Sequence, residues 1–209
     1  MERELKFLLD HPLLPTLPAR YHFGAPHPRL HLLDEYIDDR GQLRSAGWRL
    51  RRRRSDGEAM RYTLKSARAA EATGPLSVRV EIERIPTEGE EIPVEIVAAL
   101  TNAGVDVARK GIQLLPYLIL RQERHSVALF EGKVEVALLS IDEVRAEAPT
   151  LAGKQRWNEL EIEFLPAVPT EICDRVADEL SAWLRSQPGV SVGGESKVDR
   201  AGRLLTISH

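Results

Sequence analysis

The sequence predicts an α+β protein: an antiparallel β-sheet, closed or nearly so, with helices flanking it. Three observations carry that expectation. Segments in which charged and aliphatic residues alternate recur along most of the chain, and a period of two belongs to a strand. Tight-turn residues separate several of these segments, at Asp39-Arg40-Gly41-Gln42, Ser55-Asp56-Gly57-Glu58 and Glu131-Gly132. Apolar residues at helical spacing are confined to a few short stretches. Short strands joined by tight turns favour an antiparallel sheet that hides its edges by closing.

In chain order, strands are expected at 2–9, 29–37, 46–54, 59–66, 76–85, 117–130, 133–140 and 158–165. A helix is expected over 91–103, where Ile92, Ile96, Ala99 and Leu100 share one stripe and Gly104 ends it. A second is expected over 171–186, with Ile172, Val176, Leu180, Trp183 and Leu184 on its apolar stripe and Thr170 as N-cap. A third, shorter helix is expected over 196–205. Residues 11–18 hold three prolines and are expected to be irregular. No linker interrupts the pattern, so residues 1–209 are expected to form a single domain.

Composition narrows the class. The chain has 209 residues, 43% hydrophobic and 29% charged, enough for one substantial core. Its one cysteine, Cys173, excludes an internal disulfide framework and suits a reducing compartment. No apolar run approaches the ~20 residues of a membrane helix. The charged N-terminus is not a signal peptide. A cytoplasmic protein with no membrane partner is expected. Net charge is -3 and aromatics are 5%, which argues against nucleic acid as the main partner. The composition leaves oligomeric state open.

The strands share one peculiarity. Glu2-Arg3-Glu4-Leu5-Lys6 and Glu159-Leu160-Glu161-Ile162-Glu163 put charges on one face and Leu5, Leu160 and Ile162 on the other. Residues two apart on a strand lie ~6.5–7 Å apart on the same face, so such glutamates repel unless a positive charge sits among them. Arg49-Leu50-Arg51-Arg52-Arg53, Thr63-Leu64-Lys65, Arg79-Val80-Glu81-Ile82-Glu83 and Lys133-Val134-Glu135-Val136 alternate in the same way. Their apolar faces can bury under helices. Their charged faces then point to bulk water or into a charged lumen, which would focus the field strongly. Alternating carboxylates are oxygen ligands of the kind hard divalent ions prefer. Guanidinium and ammonium groups on neighbouring strands suit phosphate oxygens. Together they suit a metal-bridged phosphate chain.

Alone, each acidic triplet reads more simply as a wet strand face, and the arginine run as a solvated patch. His22, His27 and His31 have the spacing of no closed metal site. Cys173 has no histidine near it in sequence, and Ser126 follows His125 without a visible third triad member.

The ordered set of motifs resembles a family. Glu2-Arg3-Glu4-Leu5-Lys6 is similar to the Glu-x-Glu-x-Lys signature of the CYTH domain, also called the triphosphate tunnel metalloenzymes. The likeness continues through Gly47-Trp48-Arg49-Leu50-Arg51, Thr63-Leu64-Lys65, Arg79-Val80-Glu81, Val134-Glu135-Val136-Ala137-Leu138 and Glu159-Leu160-Glu161-Ile162-Glu163. It closes at Ser196-Lys197-Val198-Asp199-Arg200. The bacterial inorganic triphosphatase branch is the most similar.

The resemblance implies an antiparallel eight-stranded tunnel that hydrolyses or cyclises triphosphates with Mg²⁺ or Mn²⁺. It assigns Glu2, Glu4, Glu159, Glu161 and Glu163 to metal, with Glu159 at the rim. It assigns Lys6, Arg49, Arg51, Lys65, Arg79, Arg124, Lys197 and Arg200 to phosphate, with bracing of the closing helix as a second role for Arg200. Glu4, Lys6, Glu161 and Glu163 become the catalytic group, and Glu81 and Glu135 support it. Inorganic triphosphate is the first expected substrate. A class IV-type adenylyl cyclase and a non-catalytic polyphosphate or nucleotide binder are the alternatives. Three departures stand out: Gln122 where the family often has a base, Leu139 where it often has an Asp with Asp142 following later, and the proline-rich stretch in place of a helix.

Overall fold

The computed structural model describes residues 2–66, 71–73, 76–79, 81–108 and 111–206, with backbone alone for Glu2, 71–73 and 76–79. Its strands are β1 (Glu2–Leu9), β2 (Tyr21–Pro26), β3 (Leu30–Asp38), β4 (Trp48–Ser55), β5 (Arg61–Ser66), β6 (Glu71–Thr73), β7 (Leu76–Arg79), β8 (Glu81–Arg84), β9 (Leu115–Glu131), β10 (Val134–Glu147), β11 (Lys154–Phe164) and β12 (Val190–Val192). Its helices are α1 (Gln42–Ser45), α2 (Val94–Asn102), α3 (Thr170–Arg185) and α4 (Lys197–Leu205).

All twelve strands belong to one antiparallel sheet, ordered β6-β7-β1-β11-β10-β9-β3-β4-β5-β8, with β12 also on β1 and β2 on β9. The expected eight strands account for the main wall, the 76–85 segment being divided into β7 and β8. The short β2, β6 and β12 are additions. The hydrogen-bonded ladder does not close among the described residues. Yet β7 pairs with β1 and β8 pairs with β5, and one residue separates β7 from β8. Covalent geometry therefore draws the two sides of the wall together.

The turns form where the sequence demands them. Gly57 (φ 73°) and Gly132 (φ 58°) take backbone angles that side-chain-bearing residues resist. They join β4 to β5 and β9 to β10.

Alternation fixes the two faces of the wall. Outward-facing Leu5, Phe7, Leu139, Ile141, Leu160 and Ile162 are buried with Cys173, Val176, Ala177, Leu180 and Leu184 of α3. Full burial of one such aliphatic side chain contributes roughly 1.5–3 kcal/mol before entropy is counted. Leu50, Tyr62 and Leu64 form a second outer core with Ile96 and Leu100 of α2 and Leu43 of α1. A third cluster joins Tyr36, Leu118, Leu120, Val144 and Ala146 to Val198, Ala201 and Leu205 of α4. These strand residues share the inward face, so α4 plugs one end of the wall from within.

Two helix starts show local chemistry. Thr170 is the first residue of α3 and not its cap. Pro169 takes the cap position, and its carbonyl accepts from the N–H groups of Ile172 (3.1 Å) and Cys173 (3.0 Å). α4 is capped by Ser196, whose hydroxyl accepts from the Asp199 N–H at 3.2 Å. Residues 11–18 carry no helix or strand. No helix among the described residues is long and apolar enough to cross a membrane.

Candidate active site

Every second residue of the main strands turns inward. Glu4 and Lys6 of β1, Asp34 and Tyr36 of β3, Arg49, Arg51 and Arg53 of β4, and Lys65 of β5 line one cavity of about 290 Å³. Glu81 and Glu83 of β8, Arg124 of β9, Glu161 and Glu163 of β11, and Ser196, Lys197 and Val198 of the α4 start complete it. Seven of these side chains are cationic and six are acidic. A ligand carrying several negative charges gains little net attraction from such a set unless it brings cations with it.

Register decides which charges meet. Lys6 lies opposite Glu161, and Glu4 opposite Glu163. Asp142 lies opposite both Arg124 and Glu159. Glu161 is the hub of one knot: it takes Lys197 Nζ at 2.6 Å, Arg124 Nη2 at 2.7 Å and Lys6 Nζ at 3.2 Å. Lys6 also reaches Glu4 at 2.9 Å. Arg124 forks onto Asp142 at 2.6 and 2.7 Å, and Lys197 sits 2.9 Å from the same carboxylate. Burial pushes Glu161 up, but Lys197, Lys6 and Arg124 outweigh it and hold it well below the usual carboxylate range. Burial likewise opposes the charge on Lys6, and Glu161, Glu4 and Glu159 overcome it, so Lys6 stays protonated.

A second knot forms on Asp34, which is 1% exposed. Arg53 donates two hydrogen bonds to it at 2.6 and 2.7 Å, the Gln122 amide donates at 2.7 Å, and Arg51 lies 3.6 Å away. Burial works to raise the Asp34 carboxyl, but Arg51 and Arg53 win and hold it at about 2. Arg51 also donates to Thr63 Oγ1 at 2.8 Å. Two residues before Arg51 on β4, Arg49 lies opposite Lys65. Lys65 pairs with Glu81 at 2.7 Å.

Most expected site residues meet here: Glu4, Lys6, Arg49, Arg51, Lys65, Glu81, Arg124, Glu161, Glu163 and Lys197 all line the cavity. Three do not line it, and the side chains of two more lie outside the described residues. Glu159 is 1% exposed and lies on the same strand face as Glu161 without lining the cavity, accepting from Trp157 Nε1 at 3.0 Å with Lys197 Nζ at 3.5 Å. Burial raises its carboxyl, and Glu161 adds to the rise. Arg200 pairs with Glu195 at 3.1 Å, beside the α4 start. Glu135 is exposed at the end of the β9–β10 hairpin, next to the turn, and does not line the cavity. The side chains of Glu2 and Arg79 lie outside the described residues; their backbones are cross-strand partners.

The Leu139 departure has a simple resolution. Leu139 faces the α3 core, and β10 runs on to Glu147, so the acid meeting Arg124 is Asp142. Gln122 does stand inward, bonded to Asp34. Sequence reasoning missed Asp34, Arg53, Glu83, Asp142 and Asp199. Arg53 and Glu83 carry a signal, period-two placement with Arg51 and Glu81; Asp34 and Asp142 need the register, and Asp199 the position of α4.

The acids can be tested against a metal. Glu4 and Glu163 are directly opposed carboxylates on the cavity face, a pairing that costs energy without a cation between them. Mg²⁺ is typically held by one or two carboxylates, with water and substrate phosphates completing its shell. Glu4 and Glu163, with Glu161 next along the face, fit an ion held in that way. They do not form an all-protein cage: among the described residues, the group of three ligand atoms within 4.8 Å of one another is Glu123, His125 and Glu143. That group is on the outer face of β9 and β10.

Fold and cavity together define an α+β protein with a charged β-tunnel. The family model of the CYTH domain matches residues 1–191, and the chain belongs to that family. Two solved structures share the fold at a TM-score of 0.57. One is a candidate adenylyl cyclase from Hippeastrum with a dominant triphosphatase activity, 22% identical and covering 100% of both chains. The other is the PH1819 protein of Pyrococcus horikoshii, 18% identical, covering 98% of this chain and 99% of its own. No curated protein matches the chain.

Proposed function

We propose that the protein is a divalent-metal-dependent triphosphatase that hydrolyses a terminal phosphoryl group inside the tunnel, with inorganic triphosphate as its first substrate. One observation carries the reading. The same inner face presents Lys6, Arg124 and Lys197 gathered on Glu161, beside the opposed carboxylates Glu4 and Glu163. The cations suit phosphate oxygens and the acids suit the metal that offsets ligand charge. The Hippeastrum neighbour's dominant triphosphatase activity supports the choice of hydrolysis over cyclisation. Lys197 lies beyond the residues that the family model matches, yet lines the same cavity, which supports reading 1–209 as one domain.

In this reading Glu4, Glu161 and Glu163 hold Mg²⁺ or Mn²⁺, and the ion supplies Lewis acidity toward phosphate oxygens and water when bound. Arg49, Arg51, Lys65, Arg124 and Lys197 orient the phosphate chain and stabilise charge on the transferring group, where positioning and electrostatics supply most of the acceleration. Phosphate oxygens replace Glu161 on Lys6 and Lys197, which frees the carboxylate for the metal or to orient water.

The test is product analysis with inorganic triphosphate, thiamine triphosphate and ATP, with Mg²⁺, with Mn²⁺ and with neither. Free phosphate released only with metal, fastest from inorganic triphosphate, is expected. Cyclic AMP with pyrophosphate from ATP would replace the proposal with the cyclase, and binding without turnover would reduce the protein to a binder.

A further inference from the structure

The outer face of the wall carries a groove of about 360 Å³, separate from the tunnel. Arg54, Arg121 and Arg145 line one side of it and Glu123 and Glu143 the other, with Leu33 between Arg54 and Arg121.

Register sorts these charges by sign. Arg121 of β9 lies directly opposite Arg145 of β10, and two residues along the same strands Glu123 lies opposite Glu143. Arg145 also faces Arg156 of β11, so it stands between two arginines. Like charges directly opposite one another destabilise a sheet unless the other sign joins them. The protein's own counter-charges are incomplete. Arg121 reaches Glu147 at 3.5 Å and Arg54 reaches Glu35 at 3.9 Å. Arg29 offsets Glu123, and His125 lies 3.7 Å from it. Arg145 and Glu143 form no ion pair among the described residues, not even with each other, although they are two apart on one strand face.

A ligand of one sign gains little in this groove. An anion drawn to Arg121 and Arg145 meets Glu123 and Glu143 in the next row, ~6.5–7 Å along the strands, and a cation meets the reverse. A molecule that carries both signs on a short chain satisfies both rows. Arginine takes a carboxylate through N–H···O bonds of ~2.8 Å, and a carboxylate accepts from an ammonium at a similar length. The row spacing then suits a link of one to a few carbons between the two charges.

We infer that the groove binds a small amino-carboxylate zwitterion, with its carboxylate on Arg121 and Arg145 and its ammonium on Glu143 beside Glu123. This site does not depend on the activity proposed for the tunnel. The tunnel lies on the other side of the same strands, since Arg121 and Glu123 flank Gln122 and Glu143 follows Asp142. Tunnel residues therefore serve as the control for location.

The experiment is a titration of glycine and of γ-aminobutyrate into the full chain, followed by proton–nitrogen correlation spectra, with acetate and methylammonium as single-charge controls. A chelator is present, so that no divalent ion sits among Glu123, His125 and Glu143. A few partly exposed charge contacts sum to binding in about the millimolar range. At least one zwitterion is expected to give saturable shifts at the backbone amides of Arg121, Glu123, Glu143 and Arg145, and each control to bind more than about tenfold weaker. Arg145→Gln and Glu143→Gln, neither of which removes a buried side chain, should each weaken that zwitterion about fivefold, the upper range of a surface ion pair. Acetate or methylammonium binding as tightly as the zwitterions makes the groove a site for one sign only and overturns the inference. Saturable shifts confined to tunnel residues such as Lys65 and Arg124, unchanged binding in either variant, or no saturable shift with either zwitterion also overturn it.

Discussion

The two knots of the cavity use similar charges to different ends. Asp34 is held by the planar groups of Arg53 and Gln122 through hydrogen bonds and by Arg51 at 3.6 Å, and has 1% exposure. Glu161 is held by two lysines and one arginine, with its side chain 14% exposed to the cavity. Arginine forks fix geometry, whereas a lysine ammonium is a point charge on a flexible stem that can change partners. The Asp34 knot behaves as masonry and the Glu161 knot as an exchangeable store of charge. Substitutions at the two carboxylates should therefore diverge.

The largest expected effect is at Glu161. Glu161→Gln should lower metal-dependent phosphate release about 10²–10³-fold, on the scale of losing one electrostatic stabiliser, while circular dichroism shows a folded protein. Near-normal turnover at equal metal concentration would erase the distinction between the knots. Asp34→Asn should do the reverse. Breaking a buried pair costs about 3 kcal/mol, read from urea unfolding, with a smaller change in turnover per folded molecule. A stable but inactive Asp34→Asn would make both knots functional.

The pH dependence follows from the depressed Asp34 carboxyl. It is held at about 2, below its value in the unfolded chain, so its contribution is fully present above roughly pH 4 and is lost as pH falls toward 2. The contribution is on the order of 2 kcal/mol. Unfolding measured across that window should show a flatter acid limb for Asp34→Asn than for wild type; parallel limbs would remove Asp34 as the source. The smallest effect is expected at Lys65→Ala, which should raise KM about tenfold with little change in kcat, the cost of one phosphate contact. Unchanged kinetics would place the phosphate chain elsewhere in the cavity.

Much of this arrangement was legible in the sequence because alternation is a local property. The main wall and both major helices follow from periodicity, and most of the cavity lining follows from the same period together with the family resemblance. What was not legible depends on register. Asp34 and Glu35 are adjacent acids, and Arg52, Arg53 and Arg54 adjacent bases; only the pairing of β3 with β4 sends Asp34 and Arg53 inward and leaves Glu35 with Arg52 outside. The far half of β10 was hidden because Asp142, Glu143 and Arg145 interrupt an apolar pattern, and that concealed the acid opposite Arg124. Glu135 lies at the hairpin end, past a bulge, and strand length rather than alternation decides that it falls short of the cavity. β6 and β12 have three residues each and gain their strand geometry from neighbours.

The near cancellation of charge among the described cavity residues has a kinetic consequence. Opposite charges a few ångströms apart cancel at a distance, and beyond a Debye length of ~8 Å in physiological salt little field remains to draw in a free polyanion. Capture would then depend on chance encounter with a substrate already neutralised by its cation. The association rate constant should vary only weakly with ionic strength, and selectivity would be exercised after entry, in the exchange of partners at contact.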